Sequence, residues 1–303
     1  MCPPSENHPP VMQQSLWALA AAASFSIMAA FVKLCSGQFG SFELVFYRSL
    51  LGVVLISLFI LRTHKTVITG LWKLHLSRSV LGFLSIILWF YTLPRMDFGT
   101  CMTLIYTTPL FMAANFVVLA LKRHEKPHWG LIVPTLTGFL GVCIILQPSI
   151  KSDQLIPALI CLFVSFIDLI IYWQMKQMGD TKEPSWRIVF YFTLYCTIFS
   201  AIGTLGFEGG FHAVDATGAV GLLGMGICAT LGQMCSTRSF AYGNLLLSSL
   251  LGFSAVPFSL LVGWVLFEDP ISLYSFLGMI LIVLSGMFAT ISTKRAEKQH
   301  RTN

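Results

Sequence analysis

HEKPH, residues 124 to 128, has the H-E-x-x-H spacing with which two histidines on one helix face hold zinc while a glutamate activates water. Pro127 stands between the two histidines, removes a backbone donor and disfavours helix at Lys126, so the required i, i+4 face is not expected to form. No further His or acidic residue follows at a spacing suited to a third ligand. The remaining histidines, His8, His64, His75, His212 and His300, fall in tails, loops or at the edges of apolar runs. The serine of GFSA (252–255) therefore has no deep base to make it a nucleophile. The eight cysteines are scattered without a C-x-x-C pair, which suits small buried hydrophobes. No Gly-x-x-x-x-Gly-Lys phosphate loop is present. Neither a metal centre, a cofactor nor an enzyme's catalytic constellation is expected.

Two ionisable residues stand inside long apolar runs, where such groups are costly and point to function. Asp168 in LFVSFIDLIIYW shares a helix face with Ser165 at i−3 and Tyr172 at i+4. A carboxyl there suits a proton carrier or a counter-ion; the alternative is a permanently protonated Asp bonded to a hydroxyl. Arg48 in FELVFYRSLLG keeps its proton and must meet an anion, carbonyls or water. A substrate carboxylate or phosphate is the functional reading, and snorkelling or neutralisation by Glu43 the structural one. Trp89, Tyr91, Tyr106, Asn115, Gln233 and Ser236 could line a central cavity with them. Asn115 and Gln233 are the stronger of these, because an amide in hydrocarbon needs partners. Pro109 and Pro257 each remove a backbone donor within an apolar run and predict a kink or hinge.

The elements that must position these residues are spans. Only 11% of residues are charged and 55% are hydrophobic, against roughly 25% charged in an ordinary soluble domain. The mean hydropathy is +0.77. Ten apolar runs are long enough to cross a bilayer, at about 16–35, 41–61, 76–93, 98–121, 129–147, 155–175, 188–207, 216–237, 245–267 and 273–292. The fold class expected is an all-α polytopic membrane protein. The first fifteen residues hold no Lys or Arg, so a signal peptide is not expected and Leu16 opens a permanent span.

With the N-terminus placed in the cytoplasm, fifteen Lys and Arg fall inside, Arg62, Lys73 and Arg78 among them, against Lys33, Arg95 and Lys151 outside. The positive-inside rule then puts both termini in the cytoplasm, and the basic residues face headgroups, with no nucleic-acid partner implied. Pro109 and Pro257, Gly130 and Gly278, and Gly138 and Gly286 are each 148 residues apart. Five spans per copy is an odd number, so a second copy would enter from the opposite side. Inverted repeats around a central site are the architecture of alternating access.

KLCSGQFGSFELVFYRSLLG, with Lys33, Glu43 and Arg48, resembles the first-repeat signature of the EamA family in the drug/metabolite transporter superfamily. GWVLFEDPISLYSFLGMILIVLSG resembles the family's G-W-x-x-F-x-E stretch with its glycine-spaced last helix. The resemblance spans about 16–292. It implies ten helices in two inverted five-helix repeats around a cavity, both termini cytoplasmic, and transport of small metabolites, often outward. The acid and base of the first repeat match as Glu43 and Arg48; 143 residues after Arg48 stands Tyr191, so the second copy of that pair is missing.

The expectation is a gradient-driven secondary transporter of a small polar metabolite in the cytoplasmic (inner) membrane, with export favoured over uptake. Residues 1–15 form a cytoplasmic tail, 16–147 the first repeat, 155–292 the second, and 293–303 a basic tail. The substrate would be bound by Arg48, Glu43, Trp89, Tyr91, Tyr106, Asn115, Gln233 and Ser236, with Asp168 and Tyr172 coupling protons or balancing charge. The partners are the bilayer, the solute and protons, and the chain is expected as a monomer or homodimer. The rival readings are a non-conducting membrane scaffold or sensor and, more distantly, an intramembrane hydrolase.

Overall fold

The uncharged runs become helices, whose backbone groups are bonded internally as crossing hydrocarbon requires. The computed structural model describes residues 11–92, 95, 104–124, 129–147, 154–267 and 272–302. The helices are α1 (Val11–Ser15), α2 (Trp17–Cys35), α3 (Ser41–Thr63), α4 (Trp72–Thr92), α5 (Thr108–Lys122) and α6 (Trp129–Leu146), followed by α7 (Leu155–Asp180), α8 (Ser185–Phe207), α9 (Ala216–Tyr242), α10 (Leu245–Leu251), α11 (Ala255–Phe267) and α12 (Leu273–Thr302). Among the described residues there is no strand. Among the described residues eight segments are long and apolar enough to cross a membrane, and α5 is a shorter apolar helix. The 21-residue α4 is less apolar, because Lys73, His75 and Arg78 occupy its first two turns.

Here the structure corrects the sequence reading. His75 and Arg78 were expected at a span edge and in a cytoplasmic connection. Both lie in the first turns of α4 with only 1% and 3% of their surface exposed. The two prolines read as kinks or hinges stand at helix starts. Pro109 and Pro257 fall in the first turns of α5 and α11, where a missing N–H costs little. Each follows an interruption, the turn at Tyr106–Thr107 and the 3-10 turn at Gly252–Ser254. Pro134, which the sequence reading did not single out, lies inside α6.

Helix ends are closed by side chains. Asp215 caps α9 by accepting from the Gly218 amide at 2.7 Å, and Asn244 caps α10 by accepting from Leu247 at 3.0 Å. The start of α3 has no cap of its own. The Glu208 carboxylate, from the end of α8, accepts instead from the Phe42 and Glu43 amides at 2.9 and 3.1 Å.

The four most extensive helix pairings are α6 with α12, α2 with α9, α3 with α8 and α4 with α7. Each joins a helix before residue 147 to one after residue 154. Exchanging α2–α6 in order with α7, α8, α9, α10/α11 and α12 sends α3–α8 and α6–α12 onto themselves and α2–α9 onto α4–α7. The α6–α12 contact is closest at two glycines. A Cβ on Gly141 would stand 2.8 Å from the Gly278 carbonyl oxygen, and one on Gly278 would stand 2.7 Å from that of Gly141. One apolar core gathers Met112, Val142, Ile167, Met175, Leu247, Phe253 and Ile282. A second holds Met28, Phe39, Leu44, Leu222 and Met225 between α2, α3 and α9. The outward faces are apolar as well, with Leu205 and Val220 about two-thirds exposed, as a lipid-facing belt demands.

Candidate substrate site

Asp168 stands near the middle of α7, half-buried, and accepts a hydrogen bond from the buried hydroxyl of Ser85 on α4 at 2.8 Å. The bond crosses between the first and second groups of helices. Ser165, on the same face of α7, donates to the carbonyls of Leu104 and Ile105 at 2.8 and 3.0 Å, which ties α7 to the turn ahead of α5. Tyr172, one turn beyond Asp168, is stacked on Phe240 of α9 with centroids 3.8 Å apart and planes at 8°.

Arg78 lies beneath this group. Its guanidinium sits over the Phe192 ring of α8, 3.7 Å from the centroid. It fits there because residue 82 is glycine: a Cβ at that position would stand 2.8 Å from Phe192 and 3.1 Å from Arg78 Nη1. Arg78 is within electrostatic reach of Asp168, Arg48, Tyr172 and the buried Cys196. Arg48 enters from α3, half-buried. Among the described residues it pairs neither with Glu43 nor with Asp168. The site therefore draws two cations and one carboxylate from α3, α4 and α7, with α8 as its wall.

The remaining sequence-derived candidates divide. Tyr106 lies edge-on to Phe253, 6.4 Å away, and is within electrostatic reach of Tyr172, so it borders the site. Gln233 is buried on α9 and donates to Thr237 at 3.4 Å. Asn115 on α5 has its Oδ1 buried without a partner. Trp89 packs against Ala158 and Cys161, towards the far end of α4. Tyr91 is exposed at that end, its ring under Arg95 and its carbonyl accepting from Arg95 Nη1 at 2.7 Å, so it does not join the group. Ser236 is half-buried on α9. Of HEKPH, Glu125–His128 lie outside the described residues. Among the described residues no cluster of His, Cys, Asp or Glu could hold a metal. A recess of about 370 Å³ along α7, lined by Ile170, Trp173, Gln174, Lys176, Gln177 and Asp180, contains none of the central charges.

At the two ends of the bundle stand two His–carboxylate pairs that the sequence reading missed. Glu43, at the start of α3 and fully buried, accepts from His212 through the backbone N–H at 2.9 Å and pairs with its Nδ1 at 2.7 Å. His75, at the start of α4, pairs through Nε2 with Glu183, just ahead of α8, at 3.0 Å. Arg187 completes that second pair, donating to Glu183 at 3.3 Å and to the Thr66 carbonyl at 2.8 Å. Each pair joins the helices before residue 147 to those after 154.

Residues 13–147, which carry Arg48, Arg78, Ser85 and Glu43, match the EamA-like transporter family. That stretch of the chain is similar to the family's members throughout. Similar proteins run along almost the whole length of the chain. A riboflavin transporter of Vibrio cholerae is 27% identical over 97% of this chain and 98% of its own. The pseudopaline exporter CntI of Pseudomonas aeruginosa is 25% identical over 93% and 96%. An S-adenosylmethionine uptake transporter of Rickettsia prowazekii is 23% identical over 61% of each chain. One solved crystal structure has the same fold, with a TM-score of 0.81 over 93% of this chain and 99% of its own at 17% identity. The chain is a multi-pass membrane transporter and not an enzyme.

Proposed function

We propose that this protein is a gradient-driven secondary transporter of a small polar metabolite. It crosses the cytoplasmic membrane ten times in two inverted sets of five, with both termini inside. The helix pairings that survive exchange of the two sets support that arrangement. So does the placing of the prolines, each in the first turn after a break, where a segment could pivot. Arg48, Arg78 and Asp168 would meet the solute, with Tyr106, Tyr172, Gln233 and Asn115 around it. Outward movement is the direction we favour, as in the similar pseudopaline exporter.

The observation that carries the reading is the Asp168–Ser85 bond, a carboxyl near mid-helix held by a hydroxyl of the other helix set. A group that takes up and releases a proton at the junction of two moving halves can couple solute to a proton gradient. The Glu43–His212 and His75–Glu183 pairs, one at the start of α3 and one at the start of α4, would serve as closures at either end of a central site.

Untargeted mass spectrometry of cells and medium tests this. The strains compared would lack the protein, overproduce it, or overproduce Asp168→Asn at the same level. A solute that rises in the medium with the wild-type chain alone is the expected result. Identical solute profiles in all three strains would leave a membrane protein that conducts nothing.

A further inference from the structure

Among the described residues, four Asp, Glu, His, Lys or Arg side chains are more than nine-tenths buried: Glu43, His75, Arg78 and Glu183. Glu43 is held by His212, and His75, Glu183 and Arg187 hold one another. Arg78 has no hydrogen bond and no ion pair, and its Nε and Nη1 are both covered. A guanidinium cannot discharge itself by losing its proton, and leaving the three N–H donors of Nε and Nη1 buried without acceptors is expensive. The Phe192 ring beneath it interacts with the charge but accepts no in-plane hydrogen bond. Asp168 is within electrostatic reach but lies beyond ion-pair distance and is bonded to Ser85.

Arg48 repeats the situation from α3. It is in electrostatic reach of Arg78 and, like it, has no hydrogen bond or ion pair among the described residues. Two like charges within electrostatic reach repel, and among the described residues only Asp168 stands against them. Among those residues the site is one negative charge short.

We infer that the transported solute carries an oxyanion, a carboxylate or phosphate group, and that Arg78, with Arg48 facing it, is the group that receives it. The inference rests on the reading of this chain as a transporter with a central site. The planar fork of Arg78, resting over the Phe192 ring with its Nη1 beside Gly82, carries N–H groups that two oxygens of one anion can satisfy together. The shelf also defines the role of Gly82: any side chain there would push the guanidinium off the ring.

The test is binding to the full-length chain purified in detergent, read as the thermal unfolding midpoint against increasing benzoate or benzamide at constant ionic strength. The two probes share shape and differ in charge, so the comparison isolates the anion. Benzoate is expected to raise the midpoint along a saturating curve and benzamide to leave it flat. Arg78→Gln is expected to weaken half-saturation by about tenfold or more, Arg78→Lys less, and Arg48→Gln to weaken it as well. The Arg48 variant keeps the test decisive if Arg78→Gln fails to fold. No saturable effect of benzoate, an equal effect of benzamide, or undiminished benzoate binding by a folded Arg78→Gln would overturn the inference. The assay does not read flux. Charge-selective binding without flux would fault the transport reading alone, and flux without charge selectivity would remove the anion alone.

Discussion

The residues with the most to do are charges held away from water, and their partners decide what each contributes. His75 is almost wholly buried between Glu183 at 3.0 Å and the Tyr191 ring at 4.7 Å between centroids. Its counterpart His212 is more than half exposed. Truncating the first should cost much more than truncating the second, because a solvated partner leaves little to lose. His75→Ala is expected to destabilise by about 2 kcal/mol and His212→Ala by less than about 1 kcal/mol, both read from unfolding curves in detergent. Equal losses, or none for His75, would remove the burial argument. The types and positions of Asp168, Arg48 and Glu43 drew attention from sequence because each is an ionisable group in or beside a long apolar run. Arg78 did not, because a basic residue near the start of such a run looks the same as a headgroup anchor. Only the fold shows that α4 begins earlier, at Trp72, and carries it inward. Partners were illegible for a different reason: Ser85 and Asp168 are 83 residues apart and Glu43 and His212 are 169 apart, and no local pattern links positions at such distances.

At the scale of elements, the apolar runs were legible because a span must be long and nearly uncharged, and most boundaries fell within a few residues. The proline breaks were half legible. The residue type marks an interruption, but whether a helix kinks or restarts depends on the turn before it, Tyr106–Thr107 or Gly252–Ser254. Gly141 and Gly278 are where α6 and α12 meet through backbone. Gly141→Val should therefore force the helices apart and cost about 2 kcal/mol by overpacking, while Gly70→Ala, in open space, should be tolerated. A Gly141→Val protein with the wild-type unfolding midpoint would show that this contact does not set the helix spacing.

At the scale of the whole molecule, the two helix sets hold each other along their length and keep the charged residues between them. Separation at one end at a time would expose the centre to one side only, and the end pairs Glu43–His212 and His75–Glu183 would have to part in turn. In the proposed scheme an even number of crossings puts both termini on one side, and the excess of Lys and Arg makes that side the cytoplasm. Reporter fusions at either end are expected to fold and fluoresce in the cytoplasm, and a periplasmic signal from either would break the ten-crossing scheme. The measurement that goes to the centre of the account is transport by the purified chain in sealed liposomes under an imposed pH gradient, using the solute singled out by mass spectrometry. The wild-type chain should accumulate that solute in proportion to the gradient, and Asp168→Asn should lose the response to pH. Liposomes holding the wild-type chain that move no more solute than empty ones would contradict it.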